Sequence, residues 1–321
     1  MSWKGQRTEQ PGRRSKNRKV NGTVKKKALA GDAMMLAATM IFGAMTIFSK
    51  QILAELEVFN MVALRFLIAF AVCFAVFHRR YKTVDRETTL HAFVLGTFLF
   101  ISYFCMVEGC KYTTASNAGF MMSLVAFFTP LIIWAQEKKR PAGRQTASIL
   151  ITLFGVGLMC LSGRLTLNKG DLICVCCAFF YAFQMLYTER YAEKHDPIVL
   201  GTFQLVFVSV YAFIFSFALE DSFRLPQSGA GWGQLMYLAL GCGALGFILQ
   251  TAAEKYSSAN HATIIYASQP VFVAIFSFLM LGEEITLRQI LGIIIVFIGV
   301  LITVKTDGKL PDEKYELPDG E

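Results

Sequence analysis

The chain has 321 residues, of which 55% are hydrophobic and only 17% are charged, whereas about 25% of residues are charged in an average soluble domain. Its mean hydropathy of +0.48 and its 29 phenylalanines leave too few polar side chains to cover water-soluble domains of this total size. Composition therefore argues against a cytosolic enzyme, a secreted disulfide scaffold and a disordered chain. It favours a polytopic membrane protein.

The N-terminal segment is strongly basic. Ten of the 31 Lys and Arg residues lie before residue 28. We interpret residues 1–29 as a cytoplasmic tail that helps to set the topology, rather than as an arm that binds nucleic acid. The segment does not resemble a cleavable signal, because the apolar run after it is too long and lacks a small-residue cleavage site.

Ten apolar stretches follow, each close to the length of about 20 residues that a helix needs to cross a bilayer. The connections between them are short, so neighbouring helices are expected to be antiparallel. The sequence therefore predicts an all-α polytopic membrane protein with ten transmembrane helices. The stretches are residues 30–50, 58–77, 89–109, 113–134, 146–162, 170–189, 197–219, 231–252, 259–281 and 286–304.

The basic residues are distributed unevenly between the two sets of connections. Segments on the side of the N-terminus hold 24 Lys and Arg residues, segments on the other side hold six, and Arg65 alone lies inside a stretch. Cytoplasmic segments of membrane proteins carry the excess of positive charge. The pattern predicts that both termini are cytoplasmic.

The second half of the chain repeats the first. Residues 111–118 match residues 255–262 at an offset of 144, and Gly31-Asp32 matches Gly170-Asp171 at an offset of 139. Because each half holds an odd number of helices, the halves must insert in opposite orientations. The sequence thus predicts two inverted five-helix repeats. The expected units are a tail at 1–29, repeats at 30–162 and 170–304, and a cytoplasmic C-terminal tail at 305–321.

These motifs resemble those of EamA-type members of the drug/metabolite transporter superfamily over roughly residues 30–304. The residues that carry the resemblance are Tyr112–Ala118, Tyr256–Ala262, Pro130, Pro270, Gly282-Glu283, Gly292 and Gly299. One departure is Lys138-Lys139-Arg140-Pro141, where the family usually has Gly-Glu. The resemblance implies a plasma-membrane carrier of small organic solutes, often an exporter, and does not imply a particular substrate.

Motifs for other chemistries are weak. Gly241–Gly246 fits G-x-G-x-x-G, but it lies in the middle of an apolar stretch with no preceding strand, so we interpret it as a tight helix contact. Cys174 and Cys177 share a helix face, but no histidine accompanies them and packing is the expected role. The sequence predicts no catalytic residue, no metal site and no cofactor.

Two prolines interrupt corresponding stretches. Pro130 and Pro270 each free the carbonyl four residues earlier, and at the offset of 144 Pro270 aligns with Ala126, one turn from Pro130. Paired interruptions of this kind point to a binding site near the membrane midplane, which predicts hinges at Pro130 and Pro270. A kink that serves packing alone is the alternative.

Polar side chains inside apolar stretches are the candidate substrate-binding residues. They are Arg65, Tyr103, Asn117, Tyr181, Gln184, Gln204, Tyr266 and Gln269. Each one alone is as consistent with an interhelical hydrogen bond as with a ligand contact. Arg65 either has a structural partner such as Glu108 or binds an anionic group of the substrate. Glu108 is also a candidate to carry a coupling proton, although an interfacial carboxylate is the simpler interpretation.

Together these features predict a secondary carrier that moves a small organic metabolite or drug-like solute by alternating access, with export as the expected direction. A proton or cation is the candidate coupling ion, the lipid bilayer is the surrounding partner, and no nucleic-acid partner is expected. The alternatives are an integral-membrane enzyme or receptor-like protein with a central pocket, and a channel. An enzyme predicts a catalytic dyad or metal cluster, and a channel predicts a continuous polar stripe.

Overall fold

The fold is a bundle of helices, seen in a computed structural model of the chain. It describes residues 11–82, 84–110, 112–113, 120–138, 141–160, 168–282 and 284–306. These ranges contain helices and connections and no strand. Ten of the helices are long and apolar enough to cross a membrane, which confirms the predicted all-α polytopic fold.

The helices succeed one another with short connections. They are α1 (Pro11–Ile52), α2 (Val58–Tyr81), α3 (Arg86–Cys110), α4 (Phe120–Glu137), α5 (Gly143–Cys160), α6 (Lys169–Ala192), α7 (Pro197–Leu219), α8 (Gly229–Tyr256), α9 (Ala259–Tyr266 and Gln269–Leu281) and α10 (Leu287–Thr306). Because ten crossings return the chain to its starting side, Lys26 of α1 and Val304 of α10 lie on one face of the bundle. We call it the terminal face, and the opposite one the far face.

The first helix is longer than the sequence predicted. We expected a span from residue 30, but α1 begins at Pro11 and its apolar part runs over Lys26–Ser49. Proline suits the first position of a helix, because its missing N–H would be unbonded there in any case. Lys and Arg, which are frequent after it, are good helix formers. The helix therefore extends well before the hydrocarbon-length segment.

The packing repeats itself about a two-fold axis. From the first half of the chain, α3 and α4 both pack on α6 of the second half. From the second half, α8 and α9 both pack on α1 of the first half. The corresponding helices α2 and α7, α4 and α9, and α5 and α10 contact each other directly. Each contact is thus matched by its equivalent from the other half, as the predicted pair of inverted five-helix repeats requires.

Polar side chains on the far face tie helix ends of the two halves together. Glu220, just after α7, accepts hydrogen bonds from the backbone N–H groups of Phe59 and Asn60 at 2.6 and 2.9 Å. These are among the N–H groups that the first turn of α2 cannot bond internally. Glu55, between α1 and α2, accepts in the same way from Gln227 and Ser228 at the start of α8. Each carboxylate therefore accepts hydrogen bonds from the N-terminal end of a helix in the other half, Glu220 at α2 and Glu55 at α8.

The glycine run in α8 forms helix contacts. A Cβ on Gly243 would lie 2.8 Å from the Cβ of Ala69 on α2, and a Cβ on Gly246 would lie 2.7 Å from the ring of Phe42 on α1. The sequence interpretation of this run is confirmed for these two glycines. The same stretch, Tyr237–Gly246, forms a π-helix. This form is rare in proteins, and where it does occur it is often at a functional site.

Candidate functional site

A central cavity lies between α1, α3, α4, α6, α8 and α9. It contains about 340 Å³ of empty volume, including the part that opens outward. Its lining consists of Phe42, Met45, Ser102, Tyr103, Met106, Met122, Tyr181, Phe247 and Tyr266. Aromatic rings and thioethers dominate this surface, as in pockets that bind small organic molecules.

The lining is built from equivalent residues of the two repeats. Six of its members form three pairs, which are Phe42 with Tyr181 at the offset of 139, and Tyr103 with Phe247 and Met122 with Tyr266 at the offset of 144. The offset changes because residues 220–228 join α7 to α8, whereas residues 82–85 join α2 to α3, five residues fewer. The pseudo-two-fold axis therefore passes through the cavity.

The rings of the lining contact one another. The centroids of Tyr181 and Tyr266 are 5.0 Å apart, and Phe42 lies 5.7 Å from Phe247 and 6.3 Å from Tyr266. These spacings are those of favourable edge-on or tilted aromatic pairs. The two halves thus meet in an aromatic wall that suits an apolar or planar group.

Arg65 lies directly behind this wall. Its side chain is buried, and one terminal nitrogen is 3.4 Å from both the Tyr103 hydroxyl and the Met45 sulfur. Its Cζ lies 4.6 Å from the centroid of the Phe66 ring and 5.4 Å from that of Tyr103. Aromatic faces of this kind partly stabilise a desolvated cation. The arginine is therefore adjacent to the cavity, separated from it by Tyr103 and Met45.

The charge of Arg65 has no counter-charge among the described residues. No described carboxylate oxygen lies within 4.0 Å of the guanidinium, so the pairing with Glu108 that the sequence left open is absent from the structure. The Nε atom is also buried without a hydrogen-bond partner. A buried cation in this state is costly, and an anionic ligand would supply what it lacks.

A buried polar chain leads from the cavity toward the terminal face. The Tyr181 hydroxyl donates to Gln250 at 3.1 Å, and the Gln250 amide donates to Glu254 at 3.0 Å. Glu254 is fully buried, and its Oε2 atom has no hydrogen-bond partner among the residues that the structure describes. Sequence reasoning missed this acid because it stands beside Lys255 at the end of an apolar stretch. Its spacing of four residues from Gln250, which places both on one helix face, was the available signal.

The predicted glutamines have other partners. Gln184 donates to Gln204 at 3.1 Å between α6 and α7, away from the cavity lining. Gln269 donates to the Phe42 carbonyl at 3.2 Å and so fixes the backbone behind a lining residue. Of the predicted binding residues, Tyr103, Tyr181 and Tyr266 line the cavity, Arg65 and Gln269 contact lining residues, Gln184 and Gln204 pair with each other, and Asn117 lies outside the described residues.

The helix breaks are symmetric, whereas the prolines are not. The helical geometry of α9 is interrupted at Ala267 and Ser268, and that of α4 at Leu124, which aligns with Ser268 at the offset of 144. Pro270 is the second residue after the break in α9, but Pro130 lies inside the continuous segment Val125–Glu137. Met122 lies two residues before the break in α4 and Tyr266 lies immediately before the break in α9, so the breaks adjoin the cavity.

Comparisons with known proteins agree with this architecture. The sequence profile of the EamA-like transporter family matches residues 29–161 and again residues 168–305. A protein named an uncharacterized transporter from Archaeoglobus fulgidus is 25% identical over 276 residues, 86% of each chain. The uncharacterized transporter YetK of Bacillus subtilis is 24% identical and aligns with 89% of this chain and 90% of its own.

A solved crystal structure shares the fold. It superposes with a TM-score of 0.73 at 17% sequence identity, covering 87% of this chain and 98% of its own. At that identity the likeness concerns the fold alone. The two profile matches, one on each five-helix half, show the family. The chain is a multi-pass membrane transporter and belongs to the EamA-like transporter family of the drug/metabolite transporter superfamily.

Proposed function

We propose that this transporter is a secondary carrier that moves a small organic metabolite or drug-like solute by alternating access. The observation that carries the proposal is the cavity lined by three pairs of equivalent residues on the pseudo-two-fold axis. Inverted repeats around a shared site can exchange conformations, so that the same site opens first to one face and then to the other.

The lining favours a particular kind of solute. Aromatic rings and methionines suit an apolar or planar body. Arg65, behind the wall and without a counter-charge, favours an anionic group on the solute. Contact requires only that Tyr103 or Met45 turn aside. We therefore propose a small solute with an apolar body and one acidic group.

Glu254 is the proposed site of the coupling proton. Keeping a carboxylate charged in a buried position without a cation is costly, and a bound proton removes that cost. The chain through Gln250 to Tyr181 links the acid to the cavity, so that proton and solute can influence each other's binding.

The orientation is proposed from charge, and the plasma membrane and the direction of transport are proposed from membership of the EamA-like family. We propose a plasma-membrane protein with the terminal face in the cytoplasm, tails at residues 1–29 and 305–321, repeats at 30–162 and 170–304, and export as the direction of transport. The excess of Lys and Arg on the terminal side supports this orientation. Reporter fusions at Lys169 and Glu220 should score outside the cell, and fusions at Lys138 and Glu193 inside. A C-terminus mapped outside would contradict the topology.

The transport mechanism is tested in proteoliposomes. A thermal-shift screen of the purified protein against small organic acids first identifies a solute that raises the melting temperature. Vesicles loaded with the unlabelled solute should then accumulate the labelled solute transiently, which is counterflow and requires an alternating carrier. Flux without counterflow would indicate a channel instead. Chemical conversion of the solute by detergent-solubilised protein would indicate an enzyme.

A further inference from the structure

Two histidines that are far apart in sequence meet on the terminal face. His91 lies in the first turns of α3, and His195 lies in the connection between α6 and α7. The Nδ1 atom of His91 is 2.7 Å from the Nε2 atom of His195, and both rings are half-buried. When each ring carries its proton on its outer nitrogen, both facing nitrogens present a lone pair that a metal ion can accept.

A carboxylate completes the cluster. Glu87 precedes His91 by four residues on α3, which places both side chains on one face of the helix. One ligand atom from each of Glu87, His91 and His195 lies within 4.8 Å of the others. We propose that these three residues bind a divalent first-row transition metal ion of the Zn²⁺ type, with water as the fourth ligand.

Neighbouring groups hold the histidines in orientations suited to a metal. Thr88 Oγ1 is 3.0 Å from the Nδ1 atom of His195, so a proton on Nδ1 leaves the Nε2 lone pair free for the ion. The His91 ring stacks on Tyr191 with centroids 3.8 Å apart and planes 8° apart. Outer contacts that fix the tautomer and the ring plane are typical of metal-binding histidines.

The donor set selects the class of ion. Two imidazoles and a carboxylate suit Zn²⁺ and neighbouring transition metals, whereas Mg²⁺ prefers oxygen ligands and near-octahedral geometry. Zn–N bonds of about 2.0–2.1 Å in a tetrahedral site put two ligand nitrogens about 3.4 Å apart. The two half-exposed rings need to separate by less than about 1 Å to admit the ion.

The site would join the two halves of the transporter. Glu87 and His91 belong to the first repeat and His195 to the second, and a bound ion would crosslink them on the terminal face. The ion pair of Arg80, at the end of α2, with Asp196, in the connection between α6 and α7, already joins the two halves at a distance of 2.7 Å. The inference does not depend on the proposed transport mechanism, because its test measures metal binding directly.

The test uses the purified full-length chain with its affinity tag removed and its metals stripped by a chelator. Equilibrium dialysis against Zn²⁺ and melting curves with Zn²⁺ or Mg²⁺ are compared for the wild type, His91→Gln, His195→Gln and Glu87→Gln. The matched control is His78→Gln, which alters an exposed histidine near the end of α2 on the terminal face. His91→Gln and His195→Gln keep every cysteine, so loss of the ion from these variants separates this cluster from zinc binding by cysteine.

We expect the wild type and His78→Gln to bind one Zn²⁺ that raises the melting temperature, with no rise from Mg²⁺. His91→Gln and His195→Gln should lose that ion, and Glu87→Gln should weaken binding by about tenfold or more. Zinc binding equal in wild type and histidine variants, or absent from the wild type, would overturn the proposal. If a histidine variant fails to fold, Glu87→Gln decides, since it keeps the His91–His195 contact; unchanged affinity would overturn the proposal.

Discussion

Gly155 of α5 and Gly299 of α10 occupy equivalent positions of the two repeats, and each lies against the other's helix. A Cβ on Gly155 would come within 2.8 Å of the backbone N of Val296, and a Cβ on Gly299 would come within 3.0 Å of the backbone N of Thr152. Val296 and Thr152 are themselves equivalent at the offset of 144. The contact is therefore its own image under the pseudo-two-fold axis.

This contact makes alanine costly at either glycine. In Gly155→Ala the new methyl group would meet backbone atoms, which cannot turn aside as a side chain can. We expect a loss of about 1–3 kcal/mol in the free energy of unfolding, measured by denaturation in detergent. Gly143→Ala, at the start of α5, is the control, because nothing lies within 4 Å of its added Cβ. Equal stability of the two variants would contradict the packing argument.

Arg65→Gln separates a structural role from a binding role. Since the contacts of the guanidinium among the described residues are with Tyr103, Met45 and the Phe66 ring, a folded variant is expected. The Kd for an acidic solute should rise about tenfold, about 1.4 kcal/mol, while the Kd for a neutral analogue stays within about twofold. Tyr103→Phe keeps the ring and the arginine and should change the Kd less. Equal losses for acidic and neutral solutes would refute a charge contact.

Glu254→Gln tests the coupling proton. The substituted amide can still accept from Gln250 through its oxygen, so the folded structure should persist. Because the side chain can no longer exchange a proton, an imposed pH gradient should cease to drive accumulation, while counterflow at equal pH continues. Uptake by the variant in proteoliposomes is compared with that of Glu193→Gln, an exposed acid at the end of α6. Gradient-driven accumulation by Glu254→Gln would place the proton site elsewhere.

The sequence predicted the number of crossings because the length of an apolar run decides whether a helix can span hydrocarbon. It did not predict where helical geometry fails inside a run. The stretch 259–281 was expected as one helix, but it is interrupted at Ala267 and Ser268. Proline placement suggested breaks near Pro130 and Pro270, and only the second lies beside one. The Ser268 hydroxyl donates to the Ile265 carbonyl at 2.6 Å and stabilises that break, which the apolar content of the stretch does not predict.

The site was predictable to the extent that the repeat defines it. Tyr181 and Tyr266 stand out as polar groups in apolar stretches, and both line the cavity. Which buried polar group pairs with which is set by helix rotation, so the bond between Gln184 and Gln204 was not foreseen. The meeting of His91 with His195 depends in the same way on how α3 packs against α6.

The two prolines should behave differently when replaced. Pro270→Ala restores an N–H that can bond to the Tyr266 carbonyl and close the break in α9, so transport should slow with little change in melting temperature. Pro130→Ala restores a bond inside a segment that is already helical, so the melting temperature should rise and transport should persist. Transport rates in proteoliposomes and melting curves of both variants test this difference. Identical behaviour of the pair would mean that neither proline acts as a hinge.

Glu55 should make the far-face connection sensitive to acid. The Ser228 hydroxyl, and then the backbone N–H groups of Gln227 and Ser228, donate to its carboxylate and hold its pKa below the ordinary value of 4.5. A carboxyl whose pKa is lowered by folding stabilises the folded state above its unfolded pKa, and the effect is lost as pH falls through the folded pKa.

The melting temperature of the wild type should therefore exceed that of Glu55→Gln by a constant amount from pH 7 down to about pH 5, and the difference should shrink as the pH falls below 4.5 and through the lowered pKa of Glu55. Groups that titrate equally in both proteins cancel in this difference. The matched control is Glu57→Gln, which removes an exposed acid in the same connection whose side chain makes no cap hydrogen bond to α2. A difference for Glu55→Gln that does not shrink on acidification below pH 4.5, or that is missing at pH 7, would mean that the charge of Glu55 does not stabilise the far face.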